Sequence, residues 1–407
     1  QPPHGPAAMP RGPRRTLGPP ARWLLAAAAG ARAWEPAVGA GWLHADAPWR
    51  PHTGSISVAL KNDTVVLLGG QAGEHGGALF DCFNCTNEVW SFEPKAEAWT
   101  DLSADVPWDP RWGHSAVAMP DDRVWLLFGC CERGRPTVML TDVWTFSPWA
   151  GGGWLRQSTA PPFEGVQATS VAVRGTDLWV VGGWSQSRGT LSMVAVLSTE
   201  TLEWTVKSDH GEVPWRHRAD HATAISPGGR WLILYSGQHR DSRTGNWFRL
   251  KDTWRVELPA ARPDGWRQLG DLSAARSSVP VVLLPSGWLL ALGGHFVPDD
   301  EALGVEQSDT QGMIDHHRKG KFRVYNDVLA LDLRSGGEGG WLEVEADAPW
   351  PARDDCAGSA LSDGSMLLFG GGTLYGGGGY LQDVWMLPDA AAAYRLGARV
   401  ASSGASA

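Results

Sequence analysis

The chain has 407 residues, 43% hydrophobic and 19% charged, with a net charge of -9, which is enough apolar material for a large core and excludes a disordered polyelectrolyte. The acidic balance excludes an overall basic field for nucleic acid, and no apolar run nears the roughly 18 to 20 residues that span a bilayer. Its 51 Gly, 28 Pro and 24 Trp point to many short strands joined by tight turns.

From the N-terminus, MPRGPRRTLGPPARWLLAAAAGARAW has a basic leader, a short apolar run at Trp23 to Ala29 and an Ala31-Arg32-Ala33 cleavage-like triplet. It reads as a signal peptide or as a disordered tail, so residues 1 to 38 are set outside the fold and the compartment stays open between secretory pathway and cytoplasm. Asn62 (NDT) and Asn84 (NCT) sit in glycosylation sequons, which matter only for a secreted chain. The five cysteines fall as Cys82-Phe-Asn-Cys85, adjacent Cys130 and Cys131, and Cys356. That spacing lacks the second CxxC of a zinc site, so disulfide or idle thiols come first.

A four-part unit then recurs along the chain. An Arg/His-bearing loop leads into a small alternating segment, as in RPHTGSISVAL from Arg50, RWGHSAVAM from Arg111, RHRADHATAI from Arg216, ARSSVPVVLL from Ala275 and ARDDCAGSAL from Ala352. An apolar run ending in Gly follows: TVVLLGG, VWLLFGC, LWVVGG, WLILYSG, WLLALGG and MLLFGGG. Next an acidic residue precedes a strand-forming pair, in NEVWSFEP, TDVWTFSP, KDTWRVEL, NDVLALDL and QDVWMLP, whereas the third unit reads LSMVAVLS without the acid. A lone Trp starts the last segment at Trp99, Trp154, Trp204, Trp266 and Trp341. Each part has the length, composition and turn-forming borders of a strand.

Most of the glycine anchors lie roughly 53 to 60 residues apart, near the kelch period of about 50. Gly-Gly, acidic-Val-Trp and lone Trp, in that order over residues 41 to 388, resemble the kelch repeat. The resemblance implies an all-β, six-bladed kelch β-propeller at 41 to 388, followed by a flexible tail at 389 to 407. The glycines and tryptophans then have scaffold roles, at strand exits and in the wedges between blades.

The near-repeat of GWLHADAPWRPH (41 to 52) and GWLEVEADAPWPAR (340 to 353) shows how the ring should close. The first copy is a fourth strand without its first three, and the last unit lacks a clear fourth. Trp42 to Asp46 is therefore expected beside Leu381 to Leu387, hiding sheet edges.

With strands a to d alternating in direction, b–c and d–a loops emerge on one face. Arginine there offers a rigid fork for carboxylates, so an acidic segment of a protein partner is the expected ligand. Recurring positions such as Arg50 and Arg111 read as scaffold. Less repetitive Arg133, Trp184, Arg188, His239, Arg240 and Arg243 read as partner contacts. The fifth b–c loop, His295 to Asp327, exceeds ordinary loop length and adds His295, His316 and His317 to the candidates. Its acids and imidazoles lack HExxH-like spacing, so no metal or other cofactor is assigned.

Galactose-oxidase-like propellers, which the fold resembles, need copper with tyrosines, histidines and a Tyr-Cys crosslink, and none of the five tyrosines here sits in a recognisable version of that site. Plant specifier proteins place Glu, Asp and His at four-residue steps for iron, a pattern that fails from Glu301 and Glu306. With no nucleophile and base in view, the sequence favours a non-catalytic interaction scaffold over a secreted carbohydrate-binding protein or a metal-dependent enzyme.

Overall fold

The computed structural model describes residues 28–29, 34–37, 41–73, 85–131, 138–148, 152–241, 247–296, 323–373 and 379–396. The apolar runs before the glycines form the b strands, among them Val65–Leu68, Val124–Leu127, Trp288–Leu292 and Met366–Phe369, and every residue of these is buried. Burial on both faces explains why they read as continuous apolar runs without alternation. Each b strand lies between an a and a c strand in an antiparallel sheet of order a-b-c-d, and six such sheets form.

The a strands are Ile56–Ala59, Ser115–Ala118, Ser170–Arg174, Ala222–Ile225, Val281–Leu283 and Ala357–Ala360. Each touches the next, and the last touches the first, so the sheets circle one axis as the blades of a propeller. The all-β, six-bladed expectation is met. Leu43–Asp46 lies antiparallel to Asp383–Leu387, with Leu43 opposite Met386 and Asp46 opposite Asp383. The last blade thus takes its fourth strand from the N-terminal side of the chain, as the near-repeat requires.

A ring of backbone hydrogen bonds joins the blades. The second residue of each b-strand exit, a glycine in every blade, donates its N–H to the blade that follows: Gly70 to Arg111 O, Gly129 to Val166 O, Gly183 to Arg218 O, Gly237 to Arg276 O, Gly294 to Arg353 O and Gly371 to His52 O, all at 2.9–3.0 Å. Close approach forces the residue type. A Cβ on Gly371 would stand 2.7 Å from Asp354 O and 2.8 Å from Cys356 Cβ, at a φ of +97°.

The acceptors of this ring define one equivalent position per blade, and at four of the six it is an arginine. Arg111, Arg218, Arg276 and Arg353 are fully buried. Each forks its own blade's acid, Asp142, Asp252, Asp327 or Asp383, at 2.6–2.9 Å. Each also donates to a carbonyl at the end of strand b. Trp144, Trp254 and Trp385, two residues after their acids, complete the carboxylate with indole N–H donors at 2.6–2.7 Å. Such a satisfied pair holds, whereas removing one partner of a buried pair costs about 3–5 kcal/mol. Three residues earlier a tryptophan lies under the guanidinium, Trp108 at 5.4 Å, Trp215 at 5.7 Å and Trp350 at 5.8 Å.

Blade 1 has His52 at this position, stacked on Trp49 at 5.4 Å and 3.4 Å from Glu88. The role that sequence alignment gave to Arg50 therefore belongs to His52. Arg50 is exposed and reaches Glu88 from outside.

Short segments within 1 to 38 and within 389 to 407 pack onto the propeller. Ala28–Ala29 pairs with Trp99 and Thr100 as a fifth strand on blade 1, and Glu35–Pro36 pairs with Leu43 and His44 on blade 6. At the other end a short helix, Ala390–Ala393, leads to buried Tyr394 and Leu396, which join Trp42 and Trp350 in one apolar cluster. Glu345 anchors both, accepting from Trp42 Nε1 at 3.0 Å and from the Tyr394 hydroxyl at 2.7 Å.

Candidate functional site

The b–c loops rise from the ring as small hairpins on the face shared with the d–a connections. Blade 3 contributes Val166–Gln167, Trp184–Ser185 and Gly189–Thr190, and blade 4 contributes Gln238–Arg240 against Trp247–Arg249. These two hairpins adjoin. The Thr190 hydroxyl meets His217 Nδ1 at 2.7 Å and accepts from Arg240 N at 3.3 Å. His217 and His239 lie 4.1 Å apart between ring centroids, with His210 5.2 Å beyond. Arg240 covers the Trp247 ring at 5.8 Å, and Arg188 is 3.4 Å from Asp209, both of these side chains being exposed.

Trp184, Arg188, His239 and Arg240, chosen from separate loops in the sequence, are thus brought onto neighbouring hairpins. Trp184 is half-buried and His239 buried, whereas the two arginines face solvent. Burial first, then the positive charges of His217 and Arg216, pull the His239 imidazole down to about 4. Burial and His210 lower His217 as well. Both rings are therefore neutral near neutral pH, and the permanent positive charge on this surface comes from arginine. Arg133, Arg243, His316 and His317 lie outside the described residues.

His295 belongs to a different place. It is buried, with Nδ1 2.8 Å from Asp354 Oδ2 and Nε2 3.2 Å from both Arg249 Nη2 and Ser277 Oγ. Burial, followed by Arg249, holds its imidazole well below the usual range. Asp355, the residue after Asp354, lines a cavity of about 460 Å³ on the propeller axis, together with the inner strands, Trp112 and Asp220.

The mouth is built from residues that each occupy the same left-handed turn, Gly54, Gly113, Ala168, Asp220, Ser278 and Asp355, with φ between +47° and +65°. Their amides pass hydrogen bonds around the axis: Asp355 to Ser278 O, Ser278 to Asp220 O, Asp220 to Ala168 O and Ala168 to Gly113 O, and Gly54 to Asp355 O. Aspartate tolerates this conformation better than most residues, so the turn can carry a carboxylate to the axis. Removal from water raises all three aspartates there. Asp354 is pushed up to about 7, and the charges of Asp354 and Asp220 raise Asp355 further.

Sequence reasoning missed Trp112, Asp220, Arg249, Asp354 and Asp355. The available signal was the replacement of small residues by acid directly after the recurring arginine, in RADH and RDDC. Among the described residues, no three His, Cys, Asp or Glu side chains are grouped to hold a metal ion. Nor is any described helix long and apolar enough to cross a membrane.

A family model described as the KLHDC2/KLHL20/DRC7 Kelch-repeats domain matches residues 55–294. Putative protein tag-53 of Caenorhabditis elegans is 28% identical over 195 residues, covering 44% of this chain and 14% of that protein. The chain therefore spans only a small part of that relative's length. The solved structure of YjhT superposes with a TM-score of 0.58 at 15% identity, over 84% of this chain and 96% of the other. At that identity the likeness concerns the fold.

Proposed function

The chain belongs to the kelch-repeat family, and from that premise we propose that it is a non-catalytic scaffold that binds an acidic segment of a protein partner on its b–c and d–a loop face. The adjoining hairpins of blades 3 and 4 carry the reading. They put Arg188 and Arg240 in solvent beside half-buried Trp184 and Trp247, whereas the arginines at the recurring position are consumed inside the blades. Arginine planes and indoles supply the charged fork and flat contact area that interfaces favour.

A fluorescein-labelled Glu/Asp-rich peptide titrated into the full chain at low ionic strength tests this by anisotropy. Saturable binding is expected, together with at least about a tenfold loss in R188E/R240E and no change in Tm, since both side chains are exposed. Equal affinity for a Gln/Asn-substituted peptide, or an undiminished affinity in the double variant, would sink the reading.

A further inference from the structure

We propose that the axial mouth binds a guanidinium or ammonium group in the cavity lined by the indole of Trp112 and the carboxylates of Asp220 and Asp355. The site lies on the axis, apart from the blade 3–4 surface, and does not depend on the reading given to that surface.

The first support is shape. The cavity of about 460 Å³ falls in the range of ligand pockets, roughly 300–1,000 Å³. Trp112 closes one side by packing over Gly54, where a Cβ would come within 2.4 Å of its ring. An indole wall attracts cations through its electron-rich face, more strongly where water is excluded.

The second support is charge. Asp220 and Asp355 line the cavity from blades 4 and 6, Asp354 precedes Asp355 and pairs with His295, and among the described residues Arg249 is the cation that shares their network. The three acids influence one another, and like charges held close resist joint ionisation. Asp220 is steadied by the Gln238 amide and Asp355 by Ser278, leaving carboxylate lone pairs for a further donor. A guanidinium answers both needs, with a positive charge and a planar fork matched to carboxylate.

The third support is buried histidine. His114 (3% exposed) and His221 (6% exposed) line the same cavity, the first ring held by the backbone of Leu68 and the second by that of Val181. Burial and a neighbouring arginine bring each down to about 3. They are neutral and add no positive charge beside the acids.

The test uses the full chain at pH 8 and two calorimetric probes: N-acetyl-arginine methylamide, and a Gly/Ser peptide with one central arginine. Saturable binding of at least one probe is expected, at least tenfold tighter than its citrulline counterpart, which keeps the shape and loses the charge. D220N/D355N should weaken binding at least tenfold without lowering Tm, because asparagine also accepts the left-handed turn. Tighter binding of the peptide assigns the group to a polypeptide partner, and equal binding to a free amine. No saturable binding of either probe at millimolar concentration overturns the proposal, as does equal binding of citrulline or undiminished binding to D220N/D355N. R188E/R240E should leave this binding unchanged, so failure here is separable from failure at the blade 3–4 surface.

Discussion

Blades 3 and 4 stand side by side and solve one problem in opposite ways. Blade 4 opens with Trp215, three residues later Arg218, and then pairs that guanidinium with Asp252. Blade 3 has Phe163, Val166 and Met193 at the same three positions, all in one apolar cluster. Their backbones are nonetheless treated alike, since Val166 O and Arg218 O each accept the glycine N–H of the preceding blade. The ring is therefore set by backbone geometry, and the side chains beneath it need only satisfy each other, by charge or by apolar contact. A buried ion pair is replaceable in this way when both members change together, and costly when one does.

Breaking one member of the pair should give the largest effect. Arg218→Met strands Asp252 in blade 4 and is expected to cost about 3–5 kcal/mol in chemical denaturation. The double variant R218V/D252M, which copies blade 3, should recover most of that loss and fall within about 1–2 kcal/mol of the parent. If the double variant is no better than the single, the blade 3 solution is not transferable and the equivalence fails. The reverse change, Val166→Arg, puts an unpaired charge beside Met193 and should destabilise comparably.

Much of this comparison is legible in the sequence, and the unread half has a physical reason. The missing acid of the third unit is plain in LSMVAVLS, because it breaks a pattern anchored by Gly-Gly and Trp. The matching loss of arginine at Val166 was hidden, since the d–a loops hold several Arg and His residues and only the hydrogen bond to the backbone oxygen says which one is equivalent. Arg50 looked like blade 1's member for the same reason, two residues from His52. The near-repeat at 41 to 52 and 340 to 353 foretold the closing strand but also holds Trp49 and Trp350, each three residues before its blade's His52 or Arg353. At the axis, Asp220 and Asp355 take a turn that Gly54 and Gly113 fill elsewhere, and a repeat search built on shared residues passes over departures of this kind.

Titration sharpens the contrast at a smaller scale. Burial opposes ionisation of Asp252, but Arg218's hydrogen bonds and charge hold the acid below the usual range. Its contribution is present above the unfolded value near 4 and is lost as pH falls through the lower folded value. Asp220, in the same blade, is raised by burial. The folded state then binds more protons than the unfolded one, so stability falls as pH rises from about 4. Asp354 extends that window to about 7. Blade 3 carries Met193 and Ala168 at the corresponding positions and is silent in both windows. Between pH 4 and 7, D220N/D354N should flatten the decline in Tm that the parent shows. An unchanged slope would mean that the axial acids do not titrate there. R218V/D252M should instead flatten the acid limb below pH 4 and leave the upper window as it was.

The smallest expected effect lies on the shared face of the two blades. Arg188 of blade 3 is 3.4 Å from Asp209 with both side chains exposed, whereas Arg240 of blade 4 rests on Trp247. An exposed ion pair contributes little to stability, roughly 0–1 kcal/mol, yet it competes directly with any incoming carboxylate. Asp209→Asn should leave Tm unchanged and tighten binding of the acidic peptide by a few-fold, with the gain shrinking as salt screens the arginine. Trp247→Ala keeps the charge of Arg240 but removes the ring beneath it, and should weaken the same binding by a similar factor. If Asp209→Asn weakens the peptide, Asp209 is part of the recognition surface and Arg188 serves blade 3 as scaffold, as Arg218 serves blade 4.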